Sequence, residues 1–440
     1  MIVGLFSRNT DDEDDEDEEE IELVLFQGAL NGNEPNMKEN QRLVQAGLNP
    51  AKELVTDGLS RRAETIRVEP KGERSQVAFL VDGMPYAGGK LTKPQGLAIT
   101  QMLKLLAGLD IKVRNQPQTG GIKAEWTDQK YELIVQTKPQ QDGSELLTVK
   151  SRNLKNAIIT PDELGMSDAL KKKIREWSSH HKGLCLSVGA PNTGVTTTAF
   201  GMLRGVDCYM YQVHTLRDLG TREVINVTPY KINPDDTLEQ TLMRVIRVES
   251  DCVFVEPLLN ADVAKVLFSI QDKIALMSEM PAKDCASAIA QLVQWMGDAS
   301  VVANGLMGLI NTKLIRKICP DCKQAYRPNP KLIAKVGLPS DTKTLYRKPV
   351  PTEDEQGEIE EPDPCEKCSD TGYFGRIGIY EFIEMSDGVK EAIISGGDAN
   401  AIRTVARKEG MLTFSKDALR HVAKGITSLE ELQRVFKPAS

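Results

Sequence analysis

The sequence predicts an α/β protein, with a mostly parallel sheet covered by helices and a small α+β domain ahead of it. Three observations carry this. Between residues 161 and 317, short apolar runs of the buried-strand kind alternate with segments of helical period. Residues 51–150 combine several strand patterns with one amphipathic stretch. A chain of 440 residues exceeds one ordinary core, so two or three domains are expected.

The elements follow in order. Met1 to Thr10 lacks the basic start and long apolar run of a secretory leader, which predicts a cytoplasmic chain. Residues 11–20 are all Asp or Glu. Such a run repels itself and buries nothing, so it reads as a solvated tail, either a solubilising leader or a tether to a basic partner. Without it, 55 basic residues face 53 acidic ones, so bulk charge gives no argument for nucleic acid. Residues 21–30 fit a short strand, 28–41 a linker, and the first domain is expected to begin near Pro50. Strands are predicted over 65–68, 77–81, 123–126, 131–136 and 145–149, and a helix over 95–109 with Gly108 near its end.

Beyond 161 the pattern predicts helices over 167–177, 238–248, 263–270 and 287–296. It predicts buried strands over 184–188 and 252–255. Residues 351–364 are rich in Pro and Glu and read as an exposed loop; the last 60 or so residues read as helical. His180-His181 reads as a solvated helix end, and Trp295-Met296 as core. No stretch approaches 18 consecutive apolar residues, so no membrane-spanning helix is predicted.

Eight cysteines fall into two groups. Cys185, Cys208, Cys252 and Cys285 are scattered and read as small apolar fillers. Cys319-Pro-Asp-Cys322 and Cys365-Glu-Lys-Cys368 are two Cys-x-x-Cys pairs. Each pair puts two thiolates on one knuckle, and two knuckles can close a tetrahedron around structural zinc. Two redox pairs, or thiols left from a lost site, are the competing readings.

The segment Gly189-Ala-Pro-Asn-Thr-Gly194-Val195-Thr196-Thr197-Thr198 follows a strand and precedes a helix. Its spacing is that of a phosphate-binding loop, Gly-x-x-x-x-Gly-Lys-Ser/Thr, in which backbone N–H groups and a helix N-terminus cradle phosphate. Thr196 stands at the Mg²⁺-ligating hydroxyl, but Val195 holds the lysine position and offers no charge to the phosphates. No Lys or Arg occurs between residues 183 and 200. By itself the motif reads either as a relic of nucleotide binding at Gly189, Gly194, Val195, Thr196 and Thr197, or as an ordinary strand–loop–helix corner.

Four stretches together resemble the ATPases of type II secretion and type IV pilus assembly. They are Cys365-Glu-Lys-Cys368 through Tyr380-Glu381, Leu314 through Cys322, Glu409-Gly-Met-Leu-Thr413 with Gly425 through Glu431, and Ile66-Arg-Val-Glu-Pro70 with Asp82-Gly83 and Ala107 through Ile111. The resemblance covers residues 51–437. It implies a PAS-like domain over 49–155 after an acidic tail and linker over 1–48, and a RecA-like core over 156–318. A four-cysteine zinc element over 319–370 and a C-terminal helical module over 371–440 follow. It further implies a ring of six and ATP hydrolysis with Mg²⁺ driving assembly at the inner membrane. The family's first N-terminal domain finds no counterpart in residues 21–50.

The departures gather where chemistry should occur. Val195 replaces the lysine. The family's Gly-Glu-Ile-Arg-Asp box falls on Glu256-Pro257-Leu258-Leu259-Asn260: an ungapped alignment puts Pro257 at the glutamate, a one-residue slip puts Glu256 there as the catalytic candidate, and the arginine and aspartate are gone either way. The histidine box falls around Lys273-Ile274 and Met280-Pro281, with neither histidine. Arg114 remains, but Asn115 and Gly121 stand where further arginines are expected. Phosphoryl transfer runs on positioning and electrostatic stabilisation, and these losses strip most of that field. The expectation is therefore a pseudo-ATPase, with a weak ATPase as the alternative. Its expected partners are a homo-oligomeric ring or one mixed with an active paralogue, and a membrane platform protein; no nucleic acid is expected. Its expected place is cytoplasmic or peripheral at the inner membrane.

Overall fold

The computed structural model describes residues 22–154, 160–219, 224–353 and 359–437. Met1 to Thr10 and the acidic run 11–20 lie outside them. The chain divides into two compact units, residues 1–157 with 363–371, and residues 158–362 with 372–440.

The first unit holds β1 (Leu25–Ala29), α1 (Gln41–Ser60), β2 (Thr65–Lys71), β3 (Arg74–Val81), β4 (Met84–Thr92), α2 (Lys93–Leu106), β5 (Gln118–Trp126), β6 (Gln129–Pro139) and β7 (Glu145–Asn153). Its strands make one antiparallel sheet in the order β1-β5-β6-β7-β2-β3-β4. Asp82 and Gly83 both take positive φ and turn β3 into β4, as the Asp-Gly pair signalled. Thr92 caps α2 in a reciprocal box with Gln95, and Gly108 leaves it at φ +69°. The helices α1 and α2 cover a core that includes Leu54, Ile66, Phe79, Met102 and Leu133. They approach so closely that a Cβ on Gly47 would lie 2.7 Å from the Ala98 carbonyl oxygen.

The strand expected over 21–30 is present as β1, the linker expected over 28–41 falls largely between β1 and α1, and α1 corrects the start near Pro50. Strand β1 pairs with β5, Leu25 opposite Glu125, and α1 begins at Gln41. Pro50 reads as the edge of a domain; here it sits mid-helix. Strand β4 was also hidden, because Gly88-Gly89 interrupts its alternation.

The second unit begins with α3 (Asp168–Ser179), β8 (Gly183–Gly189), α4 (Val195–Gly205), β9 (Val213–Thr215), β10 (Val227–Pro229), α5 (Leu238–Arg247) and β11 (Cys252–Phe254). It continues through α6 (Ala261–Ile270), β12 (Ala275–Pro281), α7 (Cys285–Met296), α8 (Ala299–Gly305) and β13 (Leu306–Ile318). Short elements follow: β14 (Gln324–Tyr326), α9 (Pro330–Val336), β15 (Leu345–Arg347), β16 (Thr352–Glu353) and β17 (Ile359–Glu360). The last are β18 (Tyr373–Glu384), α10 (Asp387–Ile394), α11 (Ala399–Lys408), α12 (Phe414–Ala423) and α13 (Leu429–Phe436).

The large sheet runs β10-β9-β11-β12-β8-β13-β18. It is parallel except for the β13–β18 pair, which matches the expected α/β fold with a mostly parallel sheet. All seven residues of β8 are buried between β12 and β13, as a continuous apolar run requires. One core cluster holds Leu186, Val253, Leu276 and Ile289; another, with Phe200, Phe254 and Met277, holds α4 against the sheet. Trp295 and Met296 pack half-buried on the first of these. His180 and His181 are exposed, as expected. Burial raises the thiols of the filler cysteines, Cys252 to about 12; Cys208 is only half-buried. The 351–364 loop carries the small exposed hairpin β16–β17, and its tip, 354–358, lies outside the described residues.

The C-terminal helices close on β18 through a buried polar group. Asp417 accepts the Tyr380 amide at 3.0 Å and Arg420 Nε at 2.9 Å. Arg420 Nη2 lies 2.9 Å from His421 Nε2, and a guanidinium can only donate, so the imidazole is neutral. Burial first, then the Arg420 and Lys424 charges, hold His421 down to about 3. The unfolded chain takes up that proton near its ordinary value of about 6.5. Its stabilising contribution is therefore complete above that value and is lost as pH falls towards 3. Asp417, raised by burial, acts with the opposite sign in the acid range. Urea denaturation should show His421 alone costing about 2 kcal/mol at pH 5. A His421→Gln variant should show a shallower slope of stability between pH 7.5 and 5.

Candidate functional site

The loop after β8 has the shape its glycines dictate. Asn192 takes φ +66° and Gly194 φ +96°, and Gly194 is the N-cap of α4. Thr193 closes the turn on Ala190, its hydroxyl donating to that carbonyl at 2.8 Å. A Cβ on Gly189 would lie 2.7 Å from Val195 Cγ2 and 2.8 Å from Thr193 Oγ1. The first residue of α4 thus folds its isopropyl group back over the end of the strand.

Beneath the loop, Ser187 Oγ donates to the Val195 carbonyl at 2.8 Å. The three threonines differ in fate. Thr196 is half-buried and Thr197 exposed. Thr198 is buried, with its hydroxyl 2.7 Å from that of Thr312 on β13.

Glu256 follows β11, where the chain still runs along β12: Val255 donates to the Met277 carbonyl and Leu258 to that of Glu279. The Glu256 side chain is 61% exposed, and the Ser278 hydroxyl holds its carbonyl at 2.7 Å. Pro257 is half-buried and carries no acid. Met280 is fully buried in the apolar core, where no histidine stands. Gly121 lies buried in β5 against Leu30, so a larger side chain there would collide with Leu30.

Sequence reasoning missed two charged residues beside this site. Arg217, just past β9, places Nη1 2.6 Å from Oε1 of Glu279 on β12 and Nε 4.0 Å from Glu256. Its guanidinium lies 5.8 Å from the Phe200 ring of α4 and 5.7 Å from that of Phe254. A signal existed: Glu279 is the one acid in the apolar run 274–281.

The four predicted ligand cysteines come together. The Sγ atoms of Cys319, Cys322, Cys365 and Cys368 all lie within 4.8 Å of one another. A zinc tetrathiolate with bonds of about 2.3 Å has sulfur–sulfur edges of about 3.8 Å, so small side-chain adjustments fit the set to the ion. Local hydrogen bonds shape the knuckles. Asp370 Oδ1 accepts the Cys365 amide at 2.6 Å, the Thr371 hydroxyl donates to the Cys368 carbonyl, and the Lys323 amide to the Cys319 carbonyl. Ser369 and Asp370 take positive φ there.

No described helix is long and apolar enough to cross a membrane. The fold resembles that of the Legionella pneumophila ATPase DotB, with TM-score 0.53 and 12% identity over 87% of this chain and 94% of that one. It also resembles the pilus retraction motor PilT with bound ADP, with TM-score 0.51 and 16% identity over 88% and 96%. In sequence the chain is 26% identical to the type IV pilus assembly ATPase PilB of Thermus thermophilus, over 87% of this chain and 42% of the relative. It is 24% identical to the type II secretion system protein E of Dickeya dadantii, over 87% and 74%. The chain thus spans less than half the length of the first relative. A model of the family described as Type II/IV secretion system protein matches residues 42–434. With nearly the whole folded chain covered, the protein belongs to the type II/IV secretion system protein family.

Proposed function

We propose that this chain is a pseudo-ATPase, a structural or regulatory subunit of a type II secretion or type IV pilus machine. The observation that carries the reading is Val195. The residue that should reach out with an ammonium group instead rests an apolar branch on Gly189. A preorganised donor lost from a reacting oxyanion typically costs about 10²–10³ in rate, and a full charge at least as much. The other losses lie on different elements: Pro257 after β11 and Met280 on β12.

Under this reading the first unit, from β1 to β7, is a PAS-like domain, and residues 156–318 are a RecA-like core with a degenerate phosphate loop at Gly189, Gly194, Val195, Thr196 and Thr197. Residues 319–370 form the metal element, β18 returns to the large sheet, and α10–α13 form the helical module. Cys319, Cys322, Cys365 and Cys368 hold zinc. Four thiolates fill its tetrahedron, so the ion would be structural and leave no open position. The subunit sits in a ring, alone or with an active paralogue, against a platform protein at the inner membrane.

Glu256 favours the second reading, a weak ATPase, because its carboxylate stands free of the sheet at the end of β11. Phosphate release by the purified chain, with and without a competent paralogue, separates the two. The expected result is no turnover by the chain alone. Turnover abolished by Glu256→Gln would overturn the pseudo-ATPase reading.

A further inference from the structure

Beside the phosphate loop lies a row of charges that the losses above do not explain. Register runs Phe254 opposite both Thr215 and Met277, so two residues on, Arg217, Glu256 and Glu279 follow one another across β9, β11 and β12. All three stand past or near the carboxyl ends of parallel strands, where open α/β sheets receive ligands. They face α4. Phe254 belongs to the core under that helix, and Phe200, one turn beyond Thr196, lies under the Arg217 guanidinium. Glu279 is also the register partner of Ser187, whose hydroxyl touches the Val195 carbonyl.

The inner pair is incomplete. Glu279 is 6% exposed, and its Oε2 has no hydrogen-bond partner among the described residues; neither has Arg217 Nη1. The 2.6 Å approach of Nη1 to Oε1 is charge against charge, without a directed hydrogen bond. A bidentate fork, the usual arrangement for this pair, is not made. Arg217 therefore lies over two aromatic rings that touch each other, its charge answered by Glu279, while the second carboxylate oxygen is buried without a hydrogen-bond partner among the described residues.

We infer that Glu279 closes this crevice to nucleoside triphosphate. It neutralises Arg217 and sets a bare carboxylate oxygen against any phosphate approaching α4. The inference rests on the pseudo-ATPase reading and names the residue that enforces it at the binding step. A phosphate group would have to separate Arg217 from Glu279 and leave the buried carboxylate unpaired, which is the costly way to break such a pair. Neutral glutamine at position 279 removes the repulsion and frees the guanidinium, whose planar fork suits phosphate oxygens.

The test is calorimetric titration of the full chain with Mg·ATP. Glu279→Gln should bind at least tenfold more tightly than the wild type, and the Arg217→Gln, Glu279→Gln double variant should fall back to the wild-type level. Equal affinity of wild type and Glu279→Gln overturns the inference. Glu279→Ala gives an independent reading should Glu279→Gln fail to fold. It too removes the carboxylate and frees Arg217, so it should bind Mg·ATP at least tenfold more tightly than the wild type; equal affinity there overturns the inference. Phosphate release in the same samples separates the two levels. Turnover by the wild type defeats the pseudo-ATPase reading. A silent wild type whose affinity is unmoved by Glu279→Gln defeats only the role of Glu279.

Discussion

Metal analysis of the purified chain is expected to return one zinc per molecule, and none from the Cys365→Ser, Cys368→Ser double variant. The four sulfurs already converge within 4.8 Å. Four thiols so close gain little from one another without an ion: they are weak hydrogen-bond partners, and ionised together they repel. Strands β14 and β15 are three residues each, and the core cluster reaching this region from α9 and β15 contributes Ile333, Leu338 and Leu345. Structural zinc in comparable small elements contributes about 10–16 kcal/mol at neutral pH. Chelation should therefore open residues 323–365 to proteolysis while the sheet around β8, buried throughout, stays protected. Unchanged metal content in the double variant would refute the assignment.

Lys104→Met is expected to destabilise the first unit by about 3–5 kcal/mol, because it strands a buried carboxylate. The Lys104 and Glu145 side chains are 0% and 2% exposed, with Nζ 2.7 Å from Oε1. The network around them is filled. Lys104 Nζ also donates to the Val113 carbonyl at 2.7 Å, and Gln101 Nε2 to Glu145 Oε2 at 3.0 Å. It joins α2 to the start of β7 and to the loop before β5. Replacing both charges, as Lys104→Met with Glu145→Leu, should recover most of the loss, since a buried pair itself contributes little beyond an apolar one of similar volume. Denaturant midpoints of the two single variants and the double measure this. A double variant as weak as either single one would show that the pair itself stabilises.

What the sequence made legible follows from local physics. Buried strands declared themselves through continuous apolar runs, as at β8 and β11. The helices α2, α3 and α5 declared themselves through helical periodicity, and the structure adds side-chain caps at Thr92, Ser167 and Thr237. The knuckles were readable because Cys-x-x-Cys geometry is set within four residues. The misses depend on partners distant along the chain. Nothing near residue 25 tells that β1 will find β5, and Pro50 reads as a boundary until α2 is packed against its helix. The Arg217–Glu279 pair joins residues 62 positions apart on strands that are not neighbours. At the phosphate loop the sequence reported the missing lysine; the fold alone shows where the valine that replaced it lies.

The scatter of Val195, Pro257 and Met280 over separate elements has an evolutionary corollary. Each is embedded differently: one against a glycine, one half-buried after a strand, one wholly inside an apolar cluster. Groups that act as a unit return almost nothing when restored singly. A chance reversion of any one would meet no selection until the others had followed. On the pseudo-ATPase reading proposed above, drift here works as a ratchet, and such a lineage can elaborate its contacts with neighbours but has no short road back to being an engine.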